Sequence, residues 1–178
     1  GAMGPPGGAR SLITQRYIRH FNLVNLTPFD KAGLGHIFGT IVQWFVSDKG
    51  FSSAVKRILT LSVDATASIY DCMAQEMRPT PMKSHYLFNL RDFASVFQGI
   101  LRVAPSYLEA PMNAIRLWAH ECERVFSDRL VDDADRQWFQ KKMRDSVVPD
   151  VFEVKWKDIM GGKSDEDPNS TLPLMFGD

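Results

Sequence analysis

Pro81-Met82-Lys83-Ser84-His85-Tyr86-Leu87-Phe88-Asn89-Leu90-Arg91-Asp92-Phe93-Ala94-Ser95-Val96-Phe97-Gln98-Gly99-Ile100-Leu101 changes character at Asn89. Before it, the residues after a proline read as an extended run. From it, an asparagine cap with an aspartate three residues on opens a helix whose apolar face is Leu90, Phe93, Phe97, Ile100 and Leu101. This is a helix start aimed into a core. It also sets Arg91 in the first helical turn, where the macrodipole disfavours a cation. A cation placed against the dipole usually has an anionic partner.

The flanking residues extend the helical pattern in both directions. Upstream, Thr14 is a candidate cap for a short helix, and Phe21 to Thr27 alternates apolar with polar residues before Pro28 and reads as one short strand. A lone strand forms no sheet, so this piece should pack irregularly or stay exposed unless it borrows a partner. Asp30 can cap a helix striped by Leu34, Ile37, Phe38, Ile41 and Phe45, with Trp44 beside them. After Gly50, Ser52 or Ser53 starts a second helix, striped by Val55, Ile58, Leu59, Ser62, Thr66, Ile69, Tyr70, Met73 and Met77 and broken by Pro79.

Downstream, Pro111 is placed as a first helical residue, and Ile115, Trp118, Cys122, Val125, Phe126 and Leu130 line one face. Asp132 or Asp133 opens a further helix through Trp138, Phe139 and Met143. Residues 151–159, VFEVKWKDI, are ambiguous between strand and helix, and from Gly161 the chain turns to a polar linker. The fold class expected is therefore mainly α, a bundle of about five helices with one short N-terminal strand.

Bulk composition narrows the function classes. The 178 residues suffice for one domain with a sizeable core, or one domain plus a tail. Lys plus Arg equals Asp plus Glu at 21 each, so no global field draws in nucleic acid or anionic membrane, and neither is an expected partner. Cys72 and Cys122 fall in helical patterns and suggest buried thiols in a reducing compartment. No apolar run approaches membrane-spanning length and no basic-then-apolar leader is present. Gly1-Ala2-Met3 reads as a tag remnant or as native sequence.

Three ordered blocks carry a family resemblance. Thr80 to Asp92, followed by Val96, Gln98 and Gly99, resembles the lid segment of the third AAA+ module of dynein heavy chains, the axonemal type in particular. Met3-Gly4-Pro5-Pro6-Gly7-Gly8 with Arg10, then Arg16-Tyr17-Ile18-Arg19-His20-Phe21-Asn22, resembles the end of that module's large subdomain. Leu117-Trp118-Ala119-His120-Glu121, Arg124 to Leu130 and Asp135-Arg136-Gln137-Trp138-Phe139 resemble the helices that close the lid. The pattern departs at Ala9, where another glycine is usual in the family.

The resemblance implies a division into the end of a large subdomain (1–27), a helical lid (28–160) and a linker toward the next module (161–178). It implies a place in a microtubule-based motor of the cytoplasmic cytoskeleton, in the axoneme of a cilium or flagellum. Its partners would be the other AAA+ modules of the same heavy chain and, through the parent, microtubules and dynein subunits. ATP or ADP with magnesium would be bound by the parent ring. These residues hold no phosphate-binding loop and no acidic metal-holding strand, so hydrolysis by this chain alone is not expected. From the residues without the resemblance, a free-standing helical module binding a partner helix fits equally well.

Site residues divide in the same way. By itself Arg91 reads as a solvated arginine beside an aspartate. The resemblance implies the sensor-two position, where a guanidinium reaches the γ-phosphate of the module's own nucleotide, a role suited to a planar, permanently charged fork. Arg16 and Arg19 lie one helical turn apart and read as an exposed basic face; the resemblance implies an arginine finger toward the preceding module, for which Arg19 fits better than Arg16.

Other candidates fall away on spacing. Gly161-Gly162-Lys163-Ser164 imitates the tail of a phosphate loop, but position 157 is Lys157 and Asp165-Glu166-Asp167-Pro168 follows where a helix is needed. His120-Glu121-Cys122-Glu123 gathers ligand types that point in different directions along a helix, and His36 and His85 lack a partner at ligand spacing. No nucleophile motif is present. Trp44, Trp118, Trp138 and Trp156 sit at helical spacing among aliphatic residues and read as core.

Overall fold

A computed structural model describes residues 1–4, 11–27 and 29–160. The Pro5-Pro6-Gly7-Gly8 string with Ala9 and Arg10, the Gly161 to Ser164 string and the residues read as a polar linker lie outside the described residues. The helices are α1 (Gln15–Ile18), α2 (Lys31–Asp48), α3 (Ser53–Glu76), α4 (Leu90–Ile100), α5 (Pro111–Phe126), α6 (Asp133–Lys142), α7 (Val148–Phe152) and α8 (Trp156–Ile159). Short 3-10 turns cover Pro105–Tyr107 and Ser127–Arg129, and a π turn, Met143–Val147, joins α6 to α7. Five of the described helices, α2 to α6, have ten residues or more, and the mainly α bundle read from the sequence is the fold observed.

The caps fall where the side chains dictate. The Asp30 carboxylate accepts from the Gly33 N–H at 2.7 Å, and the Ser52 hydroxyl caps α3 through Val55. Pro111 is the first residue of α5. Asp132 precedes α6 without capping it through its side chain, because its carboxylate is engaged by Lys83 instead. Residues 151–159 resolve into the end of α7, a left-handed Glu153 and one helical turn, α8, tied down where the Arg116 guanidinium donates to the Ile159 carbonyl at 2.5 Å.

α3 packs against α2, α4, α5 and α7, and α5 packs in turn against α4. An aromatic seam joins α2 to α4, with the Phe38 ring 4.6 Å from Phe93 and 5.3 Å from Phe97. Trp118 is fully buried, and its indole N–H donates to the Thr66 hydroxyl at 2.9 Å, which in turn donates to the Ser62 carbonyl. Burying a tryptophan without such a partner would leave its N–H at full desolvation cost, so Ser62 and Thr66 belong to the stripe for this reason.

Three expectations need correction. Residues 21–27 form no strand among the described residues: no neighbouring strand offers its backbone, and Leu23, Val24 and Leu26 stay largely exposed. On α2 the buried face is Leu34, Phe38, Val42, Phe45 and Val46, whereas Ile37, Ile41 and Trp44 face outward, with Trp44 65% exposed. The helix is apolar around more than half its circumference, so periodicity alone could not choose which arc meets α3. Among the tryptophans Trp118 is core, Trp138 and Trp156 are partly buried against it, and Trp44 is not core.

Candidate functional site

The site is the junction that launches α4, built by fastening residues 81–88, which run through bends and turns rather than as the extended segment read from the sequence, to the 3-10 turn after α5 and the start of α6. Lys83 is the first fastener: its ammonium lies 2.6 Å from Asp132 and 2.5 Å from Asp135. Hydrogen bonds donated to Asp132 and Asp135 push the Lys83 ammonium well above its ordinary range, and the contact with Lys83 holds Asp135 below the usual carboxylate range. Tyr86 is the second. Its ring is buried, and its hydroxyl donates to Asp135 at 2.8 Å while accepting the Val131 N–H at 2.9 Å. Burial raises the phenol, which therefore stays a donor to Asp135.

Arg129 is the third and makes the most contacts. Its guanidinium meets Asp92 at 2.6 Å, donates to the carbonyls of His85 and Leu87 at 3.2 Å each, and lies 5.0 Å over the Phe88 ring. In return a His85 ring nitrogen donates to the Arg129 carbonyl at 3.1 Å. The planar fork explains why arginine rather than lysine stands here, since three acceptors and a ring face are satisfied from one rigid group.

Asp92 serves two masters. One carboxylate oxygen takes Arg129, and the other accepts the Asn89 N–H at 2.9 Å, while the Asn89 side chain accepts the Arg91 N–H at 2.8 Å. The capping box read from Asn89 and Asp92 is thus formed and is anchored through Arg129 to the 3-10 turn that follows α5. Arg91 itself is exposed, and among the described residues its guanidinium has no hydrogen-bond or ion-pair partner. The acidic partner that the dipole argument called for is not supplied from within the bundle.

Behind α4, Gly99 admits a carboxylate. A Cβ at this position would overlap the Glu121 carboxyl group, which is 8% exposed and paired with Arg124 at 2.6 Å. Arg124 also reaches the Ser95 carbonyl at 3.3 Å, so α4 and α5 are joined by charge as well as by apolar packing.

Arg16 and Arg19 are exposed, on and just after α1, which buries none of its residues. The Arg19 guanidinium donates to the His20 ring at 3.1 Å. They share no partner with Arg91 among the described residues. His120 lies 3.9 Å from Glu121, and no three His, Cys, Asp or Glu side chains among the described residues gather closely enough to hold a metal. No described helix is long and apolar enough to cross a membrane.

A second charged cluster, Glu123 with Arg144 on the π turn, sits on the opposite flank of α5. Burial pushes the Glu123 carboxyl up to about 7 against the pull of the Arg144 charge. The Arg144 guanidinium lies 5.2 Å over the Trp156 ring.

The sequence model of the AAA+ lid domain matches residues 62–159, from mid-α3 to the end of α8. The chain belongs to the AAA+ lid family. The lid's relatives are axonemal dynein heavy chains by name. It is 44% identical over 177 residues to human "Dynein axonemal heavy chain 2", 44% over 182 residues to the mouse "Dynein axonemal heavy chain 3", and 38% over 181 residues to the rat "Dynein axonemal heavy chain 12". Each alignment takes in 99% of the lid chain but only 4%, 4% and 6%, respectively, of the relative.

Of the residues that organise the junction, Lys83, Tyr86 and Asp92 stand in the quoted stretch, but Arg129 and Asp135 act from 37 to 52 residues away in sequence. Their signal was the cluster of charges immediately after the apolar face of α5 ends.

Proposed function

We propose that the chain is the lid, with the adjoining end of the large subdomain, of the third AAA+ module of an axonemal dynein heavy chain, and that Arg91 reaches the γ-phosphate held by that module. Residues 1–27 belong to the large subdomain in this reading, 28–160 to the lid and 161–178 to the connection onward. The observation that carries it is the exposed Arg91 guanidinium, without a partner among the described residues, on a helix start that Lys83, Tyr86 and Arg129 hold in place. An arginine set against the helix dipole, with the neighbouring Asp92 carboxylate already paired to Arg129 and the Asn89 N–H, keeps its charge for an anion.

ATP or ADP with magnesium supplies the phosphate charge that Arg91 senses, and the lid's own residues bind and orient rather than react. Closure of the lid over nucleotide then moves neighbouring modules as rigid bodies, relaying nucleotide state around the ring of a microtubule motor and so regulating ciliary or flagellar beating. Arg19, or Arg16, extends from the other end toward the nucleotide of the preceding module. The exposed apolar residues of 21–27 and the outer face of α2 suit burial against other parts of the heavy chain.

Arg91→Ala in the intact motor tests the reading. Loss of one charge-assisted contact of about 1.5–3 kcal/mol weakens nucleotide binding at this module roughly 10- to 100-fold while leaving the melting of the isolated chain unchanged. Unchanged nucleotide affinity in that variant would exclude it.

A further inference from the structure

We infer that Arg129 is a positioning residue for this phosphate site and acts by neutralising Asp92, so that the field in front of Arg91 stays positive. The inference rests on the reading of Arg91 given above. Asp92 follows Arg91 directly in the chain, and an uncompensated carboxylate there would repel an incoming phosphate. The structure engages both oxygens of that carboxylate: one is held by Arg129 at 2.6 Å and the other by the Asn89 N–H at 2.9 Å, with the Asp92 side chain 16% exposed.

The carboxylate cannot simply be dispensed with, because it completes the capping box that starts α4. Nor is Arg129 free to serve phosphate itself. Its fork is taken up by Asp92 and by the carbonyls of His85 and Leu87, and its face by Phe88. One arginine therefore cancels the acid that the cap requires, and the other is left with its full charge for the ligand.

A structural role and a field role predict different signs, which makes the inference testable. Titration of the intact heavy-chain motor with fluorescent ATP and magnesium would compare R91A, R129Q, D92N and the D92N/R129Q double variant. R129Q leaves Asp92 uncompensated and weakens binding on the order of tenfold, the size of one charge acting over a few ångströms at a partly solvated surface. D92N leaves Arg129 uncompensated and tightens it. The double variant, neutral at both positions, returns to within a few-fold of the parent.

If Arg129 served only to hold the fold, R129Q and D92N would both weaken binding and the double variant would be no better than R129Q; that result would overturn the inference. If R129Q does not fold, D92N still decides by its sign. A silent R91A would instead remove the underlying reading, whereas a weakened R91A beside a silent R129Q would remove only the role given to Arg129.

Discussion

Replacing Glu123 by glutamine should stabilise the chain at alkaline pH, and the structure fixes how much and where. Burial raises this carboxyl to about 7 from an ordinary 4.5, with the Arg144 charge pulling it back and Asp128 pushing it further up. The folded state thus holds the Glu123 proton more tightly than the unfolded chain does. Its contribution is fully present below about pH 4.5 and is lost as pH rises through about 7. At about 1.4 kcal/mol for each pH unit between the two values, the loss by pH 8 has a ceiling of about 3 kcal/mol.

Glutamine keeps the shape and cannot ionise. Urea or thermal melts of the 178-residue chain at pH 5 and pH 8 would make the comparison. At pH 5 the parent carboxyl is already largely neutral and E123Q differs little. At pH 8 E123Q is more stable by about 2–3 kcal/mol, a rise of roughly 5–10 °C for a chain of this size. The opposing term is the attraction to Arg144. An E123Q variant that melts lower than the parent at pH 8 would mean that the attraction of the Arg144 charge outweighs the burial of the carboxylate, refuting the reasoning.

Three further outcomes follow from the same contacts. Phe97, 1% exposed and stacked against Phe38 at 5.3 Å, should cost about 3–5 kcal/mol on truncation to alanine, read as a shift in the urea midpoint; an unchanged midpoint contradicts its place in the core. Tyr86→Phe strands the Val131 N–H and one bond to Asp135, for a loss of about 1–2 kcal/mol. Because Asp135 is held below its ordinary range, its contribution is present above that range and fades as pH falls through its folded value, so the deficit of Y86F should narrow in acid. In the native chain a thiol-alkylating reagent at pH 8 should label Cys72 and spare Cys122, whose thiol is fully buried and pushed well up by burial, with mass spectrometry identifying the modified peptide.

What could be read from the residues was local, and what could not was the choice among equivalent surfaces. Asn89 with Asp92, Ser52 and Pro111 announce helix starts because their chemistry acts within three residues of themselves. The stripe of α5 was legible because its opposite face is charged, leaving one arc to bury. α2 has no such contrast, and Ile37, Ile41 and Trp44 fit a core pattern as well as Val42 and Val46 do; only the position of α3 decides.

The conflict of the Arg91 charge with the helix dipole is visible in one turn, but by itself it reads as a solvated arginine, and only the family resemblance makes it a phosphate candidate. The residues that place it were not legible, since Arg129 and Asp135 meet residues 83–92 only after α5 has returned the chain to that end of the bundle. Phe21 to Thr27 has strand periodicity, but a strand is a property of two segments, and no described segment pairs with it.

The central claim is that a lid helix held in place from α5 and α6 presents Arg91 to phosphate. A structure of the intact heavy-chain motor with a non-hydrolysable ATP analogue tests it most directly. The account predicts the Arg91 guanidinium within about 2.7–3.2 Å of a terminal phosphate oxygen, with Arg129 still on Asp92. Arg91 seated on a carboxylate of a neighbouring subdomain, with the phosphate of its own module served by other residues, would contradict it.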